Sequence, residues 1–177
     1  KSVNKNDQPV TSNTGDVLWG AAGTNAQHSF FQLLHQGTAF IPVDFVGVIK
    51  PTSDGNDARR RQQYLLANCL SQSLALMQGN NDSSDQHKKV QGNKPSNTLL
   101  IDKLNPYNLG SLIALYEHKT YVQSVIWSIN AFDQWGVQLG KVLSNDIFKA
   151  LTESSSDIEF DSSTASLIKQ IGEFLNN

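Results

Sequence analysis

Two histidines stand seven residues apart in the stretch "GTNAQHSFFQLLHQGT", Gly23 to Thr38, and flank the aromatic pair Phe30 and Phe31. On one α-helix that spacing returns both rings to nearly the same face, about 10 Å apart along the axis. A metal ion bonds histidine nitrogen at ~2 Å, so His28 and His35 cannot share one. Two options remain: one functional ring and one structural ring, or two structural rings. Thr24 and Gln27 have the spacing of a capping box, in which the threonine oxygen accepts the N3 amide proton and the glutamine reaches back to the cap. They predict a helix that starts at Thr24. His28 then falls in the first turn, where unpaired amide donors and the positive end of the helix dipole disfavour a second positive charge. A ring biased towards neutral there gives up a proton readily. His35 lies near the end of the same helix, before Gly37, where a protonated ring suits the negative end of the dipole. Position separates the two: His28 is the acid–base candidate and His35 a capping or packing residue.

The second stretch with chemical potential is "INAFDQWGVQLGK", Ile129 to Lys141. Asp133 can cap a helix that opens with Gln134 and Trp135, and Lys141 lies two turns on, on the face of Gln134. Gly136 and Gly140 each cost a helix interior roughly 1 kcal/mol relative to alanine. Such glycines fit a close approach, either by a packed helix that leaves Lys141 solvated or by a ligand or partner chain on that surface.

Both stretches must be held by the elements around them. Asp16–Trp19 is a short apolar run ending in "GAAG", and "AFIPVDFVGVI" is rich in β-branched and aromatic residues up to Lys50-Pro51. These two and "NTLLI", after the turn-forming "GNKPS", are the strand candidates. Leu66, Cys69, Leu70, Ser73 and Met77 mark one face of a helix that ends at Gly79. Leu109 to Ile129 carries the apolar periodicity of one long helix or two in series. Gln134 to about Leu151 predicts another, and Leu167, Ile168, Ile171, Phe174 and Leu175 supply the apolar face of the last. Strands followed by covering helices predict an α/β fold with a parallel sheet. Three strands are few for such a sheet. With Met77 the one methionine and a start at Lys1 within a polar stretch, the chain reads as an excerpt of a longer one.

Composition narrows the function classes. A chain of 177 residues with 38% hydrophobic content can bury a substantial core, and one domain is the default. A net charge of −2 argues against nucleic-acid and anionic-membrane partners, which call for a dominant basic field. The run Arg59-Arg60-Arg61 is the only basic cluster and reads as the solvated first turn of a helix. Cys69 alone excludes an internal disulfide, fits a reducing compartment and reads as buried and inert. No apolar run approaches the ~18 residues of a membrane span, and "KSVNKNDQPV" lacks a signal-peptide core. The expectation is a soluble, cytoplasmic protein.

The stretches "GTNAQHSFFQLLHQGT" and "FDQWGVQLGK", together with "GNKPSN", "LYEHK" and "VDF", resemble the glucose-6-phosphate isomerase (phosphoglucose isomerase) family, in order and over essentially the whole chain. The stretch Phe132 to Lys141 resembles one of the family's signature patterns. The resemblance implies a C-terminal portion. Residues 1–130 would be part of the second sugar-isomerase-type (SIS-type) α/β domain, and residues 131–177 a helical C-terminal segment packing on it as one structural unit. It implies an aldose–ketose isomerase of glycolysis and gluconeogenesis, interconverting glucose 6-phosphate and fructose 6-phosphate by ring opening and enediolate proton transfer. It also implies a homodimer and no metal or organic cofactor. Carried over by the family motifs, His28 assists ring opening in the neighbouring subunit's site. Lys141 lies near the ring oxygen and O1, and Gln134 lines the substrate site. The family's catalytic base is a glutamate upstream of a glycine-lysine that this chain joins at Lys1, and none of Glu117, Glu153, Glu159 or Glu173 matches it. The enediolate-stabilising arginine and the phosphate-binding loop also lie upstream, so this chain supplies only part of an active site and is inactive by itself. The alternative is a non-catalytic sugar-phosphate-binding or dimer-interaction module.

Overall fold

The computed structural model describes residues 1–15, 17–152 and 158–175. Its elements run α1 (Gly23–Ala26), α2 (Phe31–Gln36), β1 (Val43–Lys50), α3 (Asn56–Gln78), β2 (Ser96–Lys103), α4 (Pro106–Ile126), α5 (Trp135–Thr152) and α6 (Ser162–Leu175), with a single 3-10 turn at Gln86–Lys88. Strands β1 and β2 pair in parallel, from Val43 opposite Ser96 to Lys50 opposite Lys103. The parallel α/β arrangement expected from alternating strands and helices is present.

Expected strand Asp16–Trp19 is different. Asp16 lies outside the described residues, and Val17, Leu18 and Trp19 form no strand, with Val17 and Leu18 almost fully exposed. A strand exists only through its ladder, and among the described residues no neighbour pairs with this run. Trp19 instead sets its ring edge-to-face on Phe30, with centroids 4.4 Å apart.

Helix α3 is the long crossover between the parallel strands, and it ends where the sequence stops it, at Gly79 with φ +67°. Arg59, Arg60 and Arg61 stand exposed in its first turns. The helix packs close to the sheet at Gly47, where an added Cβ would sit 3.1 Å from Leu100 and 3.3 Å from Leu66. Cys69 is half-buried rather than buried, packed against the edge of the core beside this seam; burial pushes its thiol pKa up. The core itself gathers Ala26, Phe31, Leu34, Phe45 and Leu76, so α1 and α2 are seated between β1 and the end of α3.

Helix α4 is one helix, capped at its start by the Asn105 side chain and opened by Pro106. It stops before Ser128, whose φ of +53° breaks the helical path. A polar cluster ties it to β1. The Asp44 carboxylate accepts from Asn97 Nδ2 at 2.8 Å, from Tyr116 Oη at 3.2 Å and from Lys119 Nζ at 3.5 Å. The Asn97 hydrogen bond, helped by the Lys119 charge and Tyr116 against some desolvation, holds the Asp44 pKa below the usual carboxylate value. Tyr116 shifts the other way, pushed up by burial and then by the Asp44 charge. A depressed folded-state pKa contributes stability that is present above the unfolded pKa of about 4 and is lost as pH falls through the folded one. Asp44→Asn in the full-length protein should therefore lower stability at neutral pH by about 0.5 kcal/mol, the scale of a partly solvated pair. The difference in thermal midpoint between variant and parent should shrink as pH is lowered to about 3.

Helices α5 and α6 pack on each other. Both leave large apolar side chains outward, among them Val142, Phe148, Leu167 and Phe174. No helix of the described residues is long and apolar enough to cross a membrane.

Candidate active site

The segment that carries the histidines is two short helices, not one. Helix α1 has Ala22 at its N-cap with no side-chain hydrogen bond, and Thr24 lies inside it, so the capping box does not form. The chain then turns through 27–30 and leaves helical geometry at Phe30, with φ −128° and ψ −1°, before α2 begins. The core explains the break. Ala26 and Phe31 are both buried in one cluster, yet five residues apart on a continuous helix they would point about 140° away from each other. A turn brings both to the same side.

His28 therefore does not stand in the first turn of a long helix. It follows the end of α1, and its amide donates to Asn25 O at 3.1 Å. The helix-dipole argument for its ring loses its basis. The side chain is exposed, and among the described residues no hydrogen bond or ion pair engages it. His35 is held. Its Nε2 meets Gln72 Oε1 of α3 at 2.9 Å, and Nδ1 is buried without a partner. This is the packing role expected of it. His35→Asn should cost stability on the order of 1 kcal/mol through the lost contact to Gln72, read as a lower thermal midpoint of the full-length protein.

Four further hydrogen bonds seat the far end of α2. Gln36 Nε2 donates to His87 O at 3.0 Å and Lys89 O at 2.7 Å. Lys94 Nζ donates to Leu34 O at 2.7 Å and Gly37 O at 3.1 Å. The partners lie 51 to 60 residues apart in the chain, a separation for which sequence periodicity carries no signal.

Gln134 precedes α5 and Lys141 stands on it, two turns later; both side chains are exposed, and neither has a hydrogen bond or ion pair among the described residues. The Asp133 carboxylate pairs with the Lys1 ammonium, and Lys5 N donates to Ser128 O at 2.7 Å. The first residues of the chain thus run beside the start of α5. A Cβ at Gly136 or Gly140 would meet nothing within 4 Å, so no described element makes the close approach that these glycines allow. Among the described residues no group of three or more His, Cys, Asp or Glu side chains could hold a metal ion. Glu117 is exposed on α4, whereas Glu153 lies outside the described residues.

The model of the phosphoglucose isomerase family matches residues 1–168. A glucose-6-phosphate isomerase of Marinomonas sp. (strain MWYL1) is 49% identical over 187 residues, covering 96% of this chain and 34% of that protein. One from Shewanella halifaxensis is 50% identical over 186 residues, covering 95% and 34%. Among solved structures, a glucose-6-phosphate isomerase from Chlamydia trachomatis superposes with a TM-score of 0.77 at 38% identity, over 98% of this chain and 33% of that one. The chain spans about a third of the length of the relatives it matches.

Proposed function

The chain belongs to the phosphoglucose isomerase family, and from that premise we propose that it is a portion of a cytoplasmic aldose–ketose isomerase that interconverts glucose 6-phosphate and fructose 6-phosphate. In this reading residues 1–130 are part of the second SIS-type domain and residues 131–177 its C-terminal helical segment. His28 gives and takes the proton at the ring oxygen when the hemiacetal opens and closes, in the site of the neighbouring subunit of a homodimer. Lys141 stabilises charge that develops at the ring oxygen and O1, and Gln134 lines the substrate. An imidazole and an ammonium are suited to a proton shuttle at oxygen and to stabilising an oxyanion. The carbon-bound proton requires a carboxylate base, which the family places upstream of the residues aligned with Lys1. The Lys1–Asp133 ion pair supports this arrangement, since it holds that end of the chain beside Gln134.

The observation that carries the reading is the contrast between the histidines. His35 is consumed by Gln72, while His28, with Gln134 and Lys141, is exposed and unengaged. His35 is tied to another helix by its Nε2 and serves the packing of its own fold, whereas exposed polar side chains that the fold does not use are available to a substrate. A coupled assay of fructose 6-phosphate conversion by the full-length protein tests the proposal. Turnover supports it, whereas hexose phosphate binding without turnover would replace it with a binding module.

A further inference from the structure

The loop after the 3-10 turn is clamped to the end of α3. Asn80 and Val90 exchange both backbone hydrogen bonds, at 2.7 and 2.9 Å. Asn93 N then donates to Met77 O at 2.8 Å and Lys94 N to Leu76 O at 3.0 Å, taking carbonyls that the helix end leaves open. Two glycines permit the crossing. Gly79 and Gly92 both have positive φ, +67° and +72°, and a Cβ on Gly92 would sit 2.6 Å from the carbonyl of Gln78. The backbone of Lys94 is thus fixed on α3, and its half-buried side chain reaches across to the carbonyl end of α2. There the ammonium brackets the last turn, bonding Leu34 O and Gly37 O, where a positive charge also suits the helix dipole.

We infer that Lys94 is a positioning residue for His28. The inference rests on the ring-opening role proposed for His28. Helix α2 has six residues, about 9 Å of rise, and its first residue follows His28 by three. The apolar anchors Phe31 and Leu34 set how deep the helix sits. They are non-directional, so they do not stop it sliding or turning about its axis. The directional restraints are hydrogen bonds, and only those from Lys94 are charge-assisted and grip the α2 backbone itself. Leu34, whose carbonyl Lys94 holds, donates its own N–H to Phe30 O at 3.2 Å, two residues from His28, so without the Lys94 bonds a shift at the carbonyl end is passed through Phe30 towards His28. A displacement near 1 Å is enough to cost a proton-transfer geometry a large part of its rate.

The test uses the full-length dimer at a temperature well below every thermal midpoint. Lys94→Met should slow turnover of cyclic glucose 6-phosphate about tenfold or more. It should spare solvent-deuterium exchange of an open-chain substrate, the 5-deoxy ketose 6-phosphate, which lacks the oxygen that closes a furanose ring. Lys94→Arg should restore most of the rate. His35→Asn, which loses stability but not the backbone grip, should keep native turnover. In a His28→Asn background Lys94→Met should add little, because two groups acting through one step are not additive. Should Lys94→Met fail to fold, Lys94→Gln takes its place in each comparison. Native turnover of the Lys94 variant, or a loss that adds in full to that of His28→Asn, overturns the inference while leaving the role of His28 intact. Native turnover by His28→Asn removes that role first, and the positioning inference with it.

Discussion

Lys141→Ala in the full-length enzyme should lower turnover by about 10²-fold or more, the scale set by removal of one preorganised charge donor. Folding stability should change little. The ammonium stands on α5, exposed, with no ion pair or hydrogen bond among the described residues, so its removal breaks no contact of the fold. In the proposed site the same group faces oxygen atoms that gain negative charge only as the ring opens and the enediolate forms, so the loss belongs in kcat more than in KM. Steady-state kinetics together with a thermal melt separate the effects. A near-native rate would leave Lys141 as a solvated surface lysine, and a large fall in thermal midpoint would make it structural.

For His28 the form of the substrate is the discriminating variable. His28→Asn should slow turnover of the cyclic sugar phosphate by about 10²-fold or more, as expected when a general acid–base group is removed. Proton exchange on substrate supplied already open should be spared, since in the proposed mechanism that step depends on the carboxylate base rather than on the imidazole. The exposed ring makes no hydrogen bond or ion pair among the described residues, so the thermal midpoint should stay near that of the parent. His35→Asn, seven residues along the same segment, should show the reverse pattern of lower midpoint and preserved turnover. If open-chain exchange falls as far as ring-form conversion in the His28 variant, the ring-opening assignment is wrong.

Much of this was legible in the residues. The β-branched run at Val43–Lys50, the "NTLLI" strand, the stop at Gly79 and the apolar faces of α5 and α6 are local patterns, and each formed where its periodicity and punctuation put it. Motif order over the chain also carries the likeness to the family. The failures share a cause. The capping box at Thr24 and Gln27 is a correct local pattern, but burial of Ala26 and Phe31 in one cluster outweighed it, and the helix broke at Phe30. Val17–Trp19 has strand composition without a ladder partner.

Sequence by itself determined which residue types are present for the chemistry, which segments are helix or strand, and that the sheet is parallel, because these follow from short-range sterics and periodic burial. Only tertiary structure decided that His35 and not His28 is tied down, that Lys1 lies against Asp133, and that Lys94 grips α2. Those outcomes depend on partners far apart in the chain, 37 positions for His35 and Gln72 and most of the length of the chain for Lys1 and Asp133, and hydrogen bonds and ion pairs act only at short range. Nothing in either partner's local sequence specifies the other; only packing of the apolar core brings them within reach.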